Sequence, residues 1–258
     1  ARPQSGIKNS AVVYEAIAEG GITRFLVLYQ QEKPQLIGPV RSLRMYYVDW
    51  LAPYNASVAH VGGSAAALQE VRNGNYRDID QFFNAASYWR ASDRWAPHNV
   101  YTSFERLDAL NNAKGYTSST PLVFHRKDSA AAETPSATSI SVTMSSYSYN
   151  SSYIYDATSN HYLRSQAGAP HTDREEGQIS PRVVVIIKTP MRLVQEDGWR
   201  QQYQTTGSGN ATIFQDGTVQ EVTWHKADRA SQYTFTDAGG KDVALARGQT
   251  WISIVRSS

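Results

Sequence analysis

Three arginines, Arg24, Arg41 and Arg44, punctuate the stretch GGITRFLVLYQQEKPQLIGPVRSLR at residues 20–44, in a chain of 258 residues of which only 19% are charged. A guanidinium either pairs with a carboxylate or holds an anionic group through its planar fork of N–H donors. Arg24 has carboxylates at hand in Glu15 and Glu19, and is expected to form a structural salt bridge with one of them. Arg41 and Arg44 stand where a helix is expected to begin, and positive charge there opposes the helix dipole by a few tenths of a kcal/mol to ~1 kcal/mol. Both therefore ask for partners. Two kinds fit: buried carboxylates, or an anionic ligand.

Further polar residues could join them. His60-Val61-Gly62-Gly63-Ser64 reads as a strand, a glycine turn and a helix start. The G-x-S-x-G of a nucleophile elbow is absent, so Ser64 is read as the helix cap rather than as an attacking group. Free N–H groups at that helix start could also hold an anion, with His60 and Ser64 lining the pocket. Pro97-His98-Asn99 follows Trp89-Arg90 and Trp95 in a stretch without strong periodicity. Such loops often carry function, and His98 and Asn99 could contact a ligand or simply order the turn. Pro170-His171-Thr172-Asp173 puts an imidazole two residues from a carboxylate. The pair could act as a base. As a metal site it lacks a third ligand, which His161, His98 or His60 would have to supply. A surface turn is the simpler reading, and no metal is assigned. Tyr76-Arg77-Asp78 and Asp80 read as a polar loop.

Composition narrows the chemistry. There is no cysteine, which removes disulfides, thiolate metal sites and a cysteine nucleophile. Neither the Walker pattern nor G-x-G-x-x-G stands at a strand–helix junction, so no nucleotide cofactor is expected. A net charge of +2, with no basic run beside stacking aromatics, gives no footprint for nucleic acid. No apolar run approaches the ~20 residues that span a bilayer. The chain opens on Ala1, so any signal peptide or lipid anchor is expected upstream, and that anchor would be its only tie to a membrane.

The elements that must position these residues can be read from spacing. Ala11–Glu19 and Ile22–Tyr29 flank Gly20-Gly21, which reads as a two-residue hairpin turn with positive φ at both glycines. Closed there, the hairpin sets Arg24 opposite Ile17 and diagonally between Glu15 and Glu19. Ser42 is placed as the cap of a helix carrying Met45, Val48 and Leu51, which stops before Pro53. Ser57–Val61 reads as a short strand and Ala65–Arg72 as a helix ending near Gly74. Thr102 and Glu105 form a capping box ahead of a helix Phe104–Ala113. From about Asp128 the composition shifts: 129–139 is Ala/Ser/Thr with Pro135, a linker or long loop, and most of the remaining chain alternates as strands. Val183–Lys188 is a buried run, Gly207-Ser208-Gly209-Asn210 and Asp216-Gly217 are turns, and Thr250–Val255 is a closing strand. The expected fold is α+β: an α/β domain with a mixed sheet over 1–128, then a mostly antiparallel β domain over 129–258.

Several of these segments carry a resemblance. Ala1-Arg2-Pro3-Gln4-Ser5-Gly6, Glu19-Gly20-Gly21-Ile22-Thr23-Arg24-Phe25, Gly38-Pro39-Val40-Arg41-Ser42, Gly62-Gly63-Ser64, Pro97-His98-Asn99 and Gly248-Gln249-Thr250-Trp251-Ile252 are spread over nearly the whole chain. They resemble the signature segments of the YerB-like family of bacterial candidate lipoproteins, and EGGITRF with GPVRS is the most specific combination. The resemblance implies two consecutive domains and an extracytoplasmic, usually membrane-anchored protein. It supplies no activity, so no catalytic role is carried over. Family members generally have an anchor and a further segment ahead of ARPQSG, and Pro181-Arg182 stands where Lys-Asn is expected.

The leading functional expectation is an envelope-facing binding or accessory protein that recognises an anionic cell-wall component or an envelope protein. Its cleft is floored by Arg41, Arg44, His60 and Ser64, rimmed by His98 and Asn99, and completed by His171 and Asp173. The alternative is an envelope hydrolase acting on peptidoglycan or a related glycan, with His98, His171 and Asp173 as acid/base groups or metal ligands. A third reading makes exposed Tyr and Trp a protein interface and leaves the arginines paired internally. The sequence names no reaction.

Overall fold

Val12-Val13-Tyr14-Glu15-Ala16-Ile17 is buried at every position. A strand buried on both faces needs cover from two layers. In the computed structural model, which describes residues 1–257, the main strands are β1 (Val12–Ile17), β2 (Thr23–Leu28), β3 (Ser139–Val142), β4 (Ser151–Asp156), β5 (His161–Gln166), β6 (Val183–Thr189), β7 (Met191–Gln195), β8 (Trp199–Tyr203), β9 (Gly207–Gln215), β10 (Thr218–Lys226), β11 (Thr234–Thr236) and β12 (Thr250–Arg256). The helices are α1 (Met45–Leu51), α2 (Ala65–Asn73) and α3 (Phe104–Ala113).

Seven strands form one sheet in the order β11-β10-β9-β6-β12-β1-β2. β12 runs parallel to both neighbours, β6 and β1, and the other pairs are antiparallel. Tyr14, Ala16, Val185, Ile187, Ile252 and Ile254 face one side, where they pack on Val48 and Trp50 of α1 and Ala67 and Val71 of α2. Val13, Ile17, Val184 and Trp251 face the other, against Ile140, Tyr153, Tyr155 and Tyr162 of a second sheet. That sheet is β3, β4 and β5 with the short strand Ala169–Pro170, all antiparallel. A smaller cluster of Ile79, Tyr88, Val100 and Leu107, with Val40 and Val61 against it, supports the region around α3. The fold is α+β and mostly β, with mixed and antiparallel sheets.

Several local expectations are corrected. Both Gly20 and Gly21 have positive φ (67° and 73°), but they lie in a single 3-10 turn over Glu19–Gly21, and the first pair of the hairpin is Ile17 with Thr23. Arg24 is therefore opposite Ala16 rather than Ile17. A one-residue shift moves a side chain to the other face of a strand. It leaves Arg24 on the helix-covered side and Glu15, beside Val13 and Ile17, on the side of the second sheet.

Gly207-Ser208-Gly209-Asn210 is not a turn but the first half of β9. The buried Trp224 explains Gly209, because a Cβ there would come within 2.8 Å of its indole nitrogen. Ser42 caps nothing: Arg44 holds the N-cap position of α1 and makes no side-chain cap bond. Ser103, not Thr102, caps α3, its hydroxyl accepting from Arg106 N at 3.3 Å. Thr102 donates instead to the Ser87 carbonyl at 2.8 Å.

The segment 129–138 has no regular structure, yet it is stitched to the turn at Asp216-Gly217. Ser129 Oγ and Ala130 N donate to the Asp216 carboxylate, and Ser136 N and Ala137 N to the Gly217 carbonyl. The two sequence units on either side of it share the large sheet, since β1 pairs directly with β12.

Candidate functional site: an arginine-lined cleft

Residues 40–43 are an extended strip held between two loops. Val40 N donates to Val100 O at 2.8 Å, Val61 N to Arg41 O at 3.2 Å, Leu43 N to Gly62 O at 2.9 Å and Ser64 N to Leu43 O at 3.1 Å. The segments GPVRS and GGS are thereby joined, with the chain just beyond PHN on the other side. A cleft of about 430 Å³ opens over the junction, lined by Arg41, Ser42, Gly62, Arg72, Phe82 and Arg90 among others. Its floor is apolar, from Val40, Val61 and Val100 over the small third core. Bare backbone at Gly62 is required by its left-handed φ of 58°, and a Cβ on it would press on the Phe82 ring at 3.0 Å.

One tripeptide orients two of the three guanidiniums. Arg41 donates to the Pro97 carbonyl, and Arg90 Nη1 donates to Asn99 Oδ1 at 2.9 Å. Among the described residues neither arginine has a carboxylate partner. Arg72 Nη2 donates to Asp80 Oδ2 at 3.0 Å. The other oxygen of this fully buried carboxylate takes Gly62 N at 3.0 Å and Phe82 N at 3.2 Å. The cleft thus presents three guanidiniums against one carboxylate that is already engaged. Burial, and after it the charges of Arg24 and Arg44, push the Arg41 pKa down. Both are penalties on its cation that the opposite charge of a bound anion would offset.

The expected site residues divide. Arg41 lines the cleft. Asn99 serves it by holding Arg90. His98 is half-buried beside them with no partner for Nδ1 among the described residues, and burial is the first cause of its lowered pKa. His60 is buried behind the glycine turn, Nδ1 facing the Gly62 carbonyl at 2.7 Å and Nε2 the Asp78 carboxylate at 2.9 Å. It braces the turn and does not line the cleft. Asp78, despite its burial, is held below the usual carboxylate range by the hydrogen bond and charge of His60.

Ser64 occupies the N-cap position of α2 but its side chain makes no cap bond, and the helix start is not free. Ala66 N donates to Glu196 Oε1 at 2.6 Å. Glu196 lies just past β7 at the tip of the β7–β8 arm, which reaches across a second cavity of about 600 Å³ containing Asp49 and Arg192.

Arg44 is also accounted for internally. Its Nε and Nη2 donate to the two Glu19 oxygens at 2.5 Å and 2.8 Å, and it is buried. Arg24 lies 3.3 Å and Arg200 3.5 Å from the same carboxylate. The expected pairing of Arg24 with Glu19 is present, and the one with Glu15 is not. Glu15 instead takes both bonds of Arg164 Nη2 at 3.0 Å, with Trp251 Nε1 donating to its Oε2 at 2.9 Å.

His171 belongs to this second network, and neither it nor Asp173 lines the cleft. Arg164 Nε donates to His171 Nδ1 at 3.0 Å, which leaves the ring proton on Nε2 to donate to Gln4 Oε1 at 3.0 Å. Asp173 accepts from Lys8 N at 3.0 Å and Glu175 N at 3.1 Å. Both residues hold the opening of the chain, His171 through the Gln4 side chain and Asp173 through Lys8 N and a backbone bridge to Gln4.

This network makes stability depend on pH. Burial, then the charge of Arg164, lowers the His171 pKa well below its ordinary value. The folded protein holds the ring neutral while the unfolded chain protonates it near pH 6.5, so its contribution is complete above about 6.5 and is lost as pH falls below it. The urea midpoint is expected to drop between pH 7 and 5, above the range where carboxylates titrate. Replacing His171→Asn should flatten that slope, and an unchanged slope would assign the loss to other groups.

Arg72, Arg90 and Phe82 carry no mark of a site in the sequence. Arg90 stands next to Trp89 and reads as part of an aromatic stretch, and Arg72 reads as an ordinary residue of a last helical turn. Asp80, read as polar loop, is the buried anchor of the whole wall.

Fold and cleft together define a two-part α+β protein in which three of the signature segments, GPVRS, GGS and PHN, meet at one arginine-lined site. Residues 1–117 match the family model described as "Protein of unknown function (DUF3048) N-terminal domain", and residues 140–252 match its C-terminal domain. The chain is 31% identical to the Bacillus subtilis (strain 168) protein described as "Putative lipoprotein YerB", over 260 residues covering 99% of this chain and 77% of that protein. The crystal structure of YerB from Bacillus subtilis superposes with a TM-score of 0.86 at 30% identity, covering 98% of this chain and 86% of the other. The chain belongs to the YerB-like family. Among the described residues no helix is long and apolar enough to cross a membrane.

Proposed function

We propose that this chain is an extracytoplasmic envelope protein that binds an anionic ligand, a cell-wall component or a group on an envelope protein, in the Arg41–Arg72–Arg90 cleft. The location rests on the Bacillus relative being described as a lipoprotein. The binding reading rests on one observation: Arg41 and Arg90 are oriented into a single cleft by neutral oxygens, with no carboxylate partner among the described residues. Binding would give Arg41, partly desolvated and facing the charges of Arg24 and Arg44, charge-assisted hydrogen bonds to an anion. The hydrolase reading loses two of its three groups, because His171 is committed to Arg164 and Gln4, and Asp173 to the backbone of Lys8 and Glu175, which leaves His98 alone.

The test is calorimetric titration and thermal shift of the purified chain with inorganic phosphate, pyrophosphate and citrate. At least one is expected to raise the unfolding midpoint, by about 2.7 kcal/mol of stabilisation at a hundredfold its Kd. Losing one charge-assisted bond in Arg41→Ala should weaken binding roughly 10- to 100-fold. Arg192→Ala, in the other cavity, removes the same charge and should leave binding intact. No binding, or equal loss in both variants, would make the cleft arginines structural.

A further inference from the structure

Beside the arginines the cleft is lined by Phe82, with Phe83 next to it in the chain and Trp95 two residues before the cleft-lining Pro97. Phe82 is 67% exposed, Phe83 72% and Trp95 91%. Burying such a ring would stabilise the protein by about 1.5–3 kcal/mol, so leaving Phe82 in water at the cleft calls for a reason.

These rings are not on slack chain. Phe82 N is fixed to the Asp80 carboxylate at 3.2 Å, Phe83 N to Asp80 O at 3.2 Å, and Asn84 Nδ2 to Asp80 O at 2.8 Å. The Phe82 ring lies directly over Gly62, which has no Cβ to keep it off. Arg72 sits 5.0 Å over the centre of the Phe83 ring, while Phe82 lines the cleft. His98 N donates to Trp95 O at 2.9 Å, closing a turn that holds Trp95 two residues from the cleft-lining Pro97.

Resting on the anion-binding reading above, we infer that the cleft takes an anionic glycan, a sugar ring that carries a phosphate or carboxylate. An aromatic face packs flat against the C–H face of a sugar ring while the hydroxyls stay at the edge, within reach of arginine donors. The volume of about 430 Å³ suits one charged group with one or two rings. A nucleic acid strand offers rings and phosphates too. It needs a basic groove that tracks its backbone, and this chain has a net charge of only +2.

Two ligands of equal charge separate the ideas: glucose 1-phosphate, which has a ring, and glycerol 3-phosphate, which has none. A tetragalacturonate with maltotetraose as its neutral control, and a thymidine octanucleotide, complete the set. Glucose 1-phosphate is expected to bind roughly tenfold more tightly than glycerol 3-phosphate, with tetragalacturonate bound and maltotetraose not. Phe82→Ala should erase the tenfold preference while keeping phosphate binding, and Arg41→Ala should weaken both phosphates alike. Equal, Arg41-dependent binding of the two phosphates would overturn the glycan inference and leave the anion site standing. No binding of any ligand would overturn both. A Phe82-dependent preference for the oligonucleotide over glucose 1-phosphate would replace the glycan by a nucleic acid.

Discussion

Replacing Glu15 with alanine is expected to destabilise the protein by roughly 3–5 kcal/mol, the cost of leaving a buried charge without its partner. Glu15 and Arg164 are both fully buried, and the carboxylate also takes the Trp251 indole N–H. Removing it strands a guanidinium whose remaining partners are neutral: His171 Nδ1, the Tyr153 hydroxyl at 3.1 Å and the Trp251 ring at 4.3 Å. Chemical denaturation would read the loss directly. If Glu15→Ala proves too unstable to purify, two variants keep the idea open to refutation. Glu15→Gln retains an acceptor and should lose less, and Glu15→Met with Arg164→Met should be more stable than either single change. A single variant within about 1 kcal/mol of the parent would show that water reaches this pair.

The second large effect lies on the opposite face of the same strand. Trp50 is 1% exposed, stacks on Tyr14 of β1 at 5.7 Å with 9° between the planes, and touches Tyr46, Tyr47 and Tyr203. Its indole N–H donates to Tyr233 at 3.1 Å. Those rings come from α1, the end of β8, β1 and the loop before β11, so they cannot collapse together into the space left behind. Trp50→Ala is therefore expected to cost about 3–5 kcal/mol by denaturant unfolding, with Trp50→Phe recovering much of it. Trp199→Ala, on the exposed arm, should change stability by no more than about 0.5 kcal/mol. Similar losses for Trp50→Ala and Trp199→Ala would contradict the packing described.

Much of this architecture is legible because it is written in local signals. The apolar run beginning at Val183, the helix that starts after Ser64 and stops at Gly74, and the Asp216-Gly217 turn all come from spacing and glycine chemistry. The illegible part depends on partners distant in sequence. The hairpin at Gly20 is recognisable, but its register reads one residue off because a two-residue loop and a short 3-10 turn leave the same glycines in place. That slip sends Glu15 to Arg24, when its partner is Arg164 in another sheet. The site divides in the same way. Arg41 stands out through its spacing, and Asn99 through the loop it orders. Arg72 and Arg90 need the tertiary fold to be seen, because nothing in their neighbourhoods marks two ordinary surface arginines as facing one cleft.

The parallel pairing of β1 with β12 bears on how the molecule is made. Every residue lining the cleft lies in the first of the two sequence units and is synthesised early, yet the strand on which that unit leans is drawn from residues 250–256. Until that last strand arrives, β1 and β2 form a hairpin with an unmated edge, able to recruit strands from other chains. Closing contacts across nearly the whole length of a polypeptide is slow. The vulnerable interval in the life of this protein is therefore the one between translation of its cleft and completion of its sheet. A helper that shields an exposed strand would matter most in that interval.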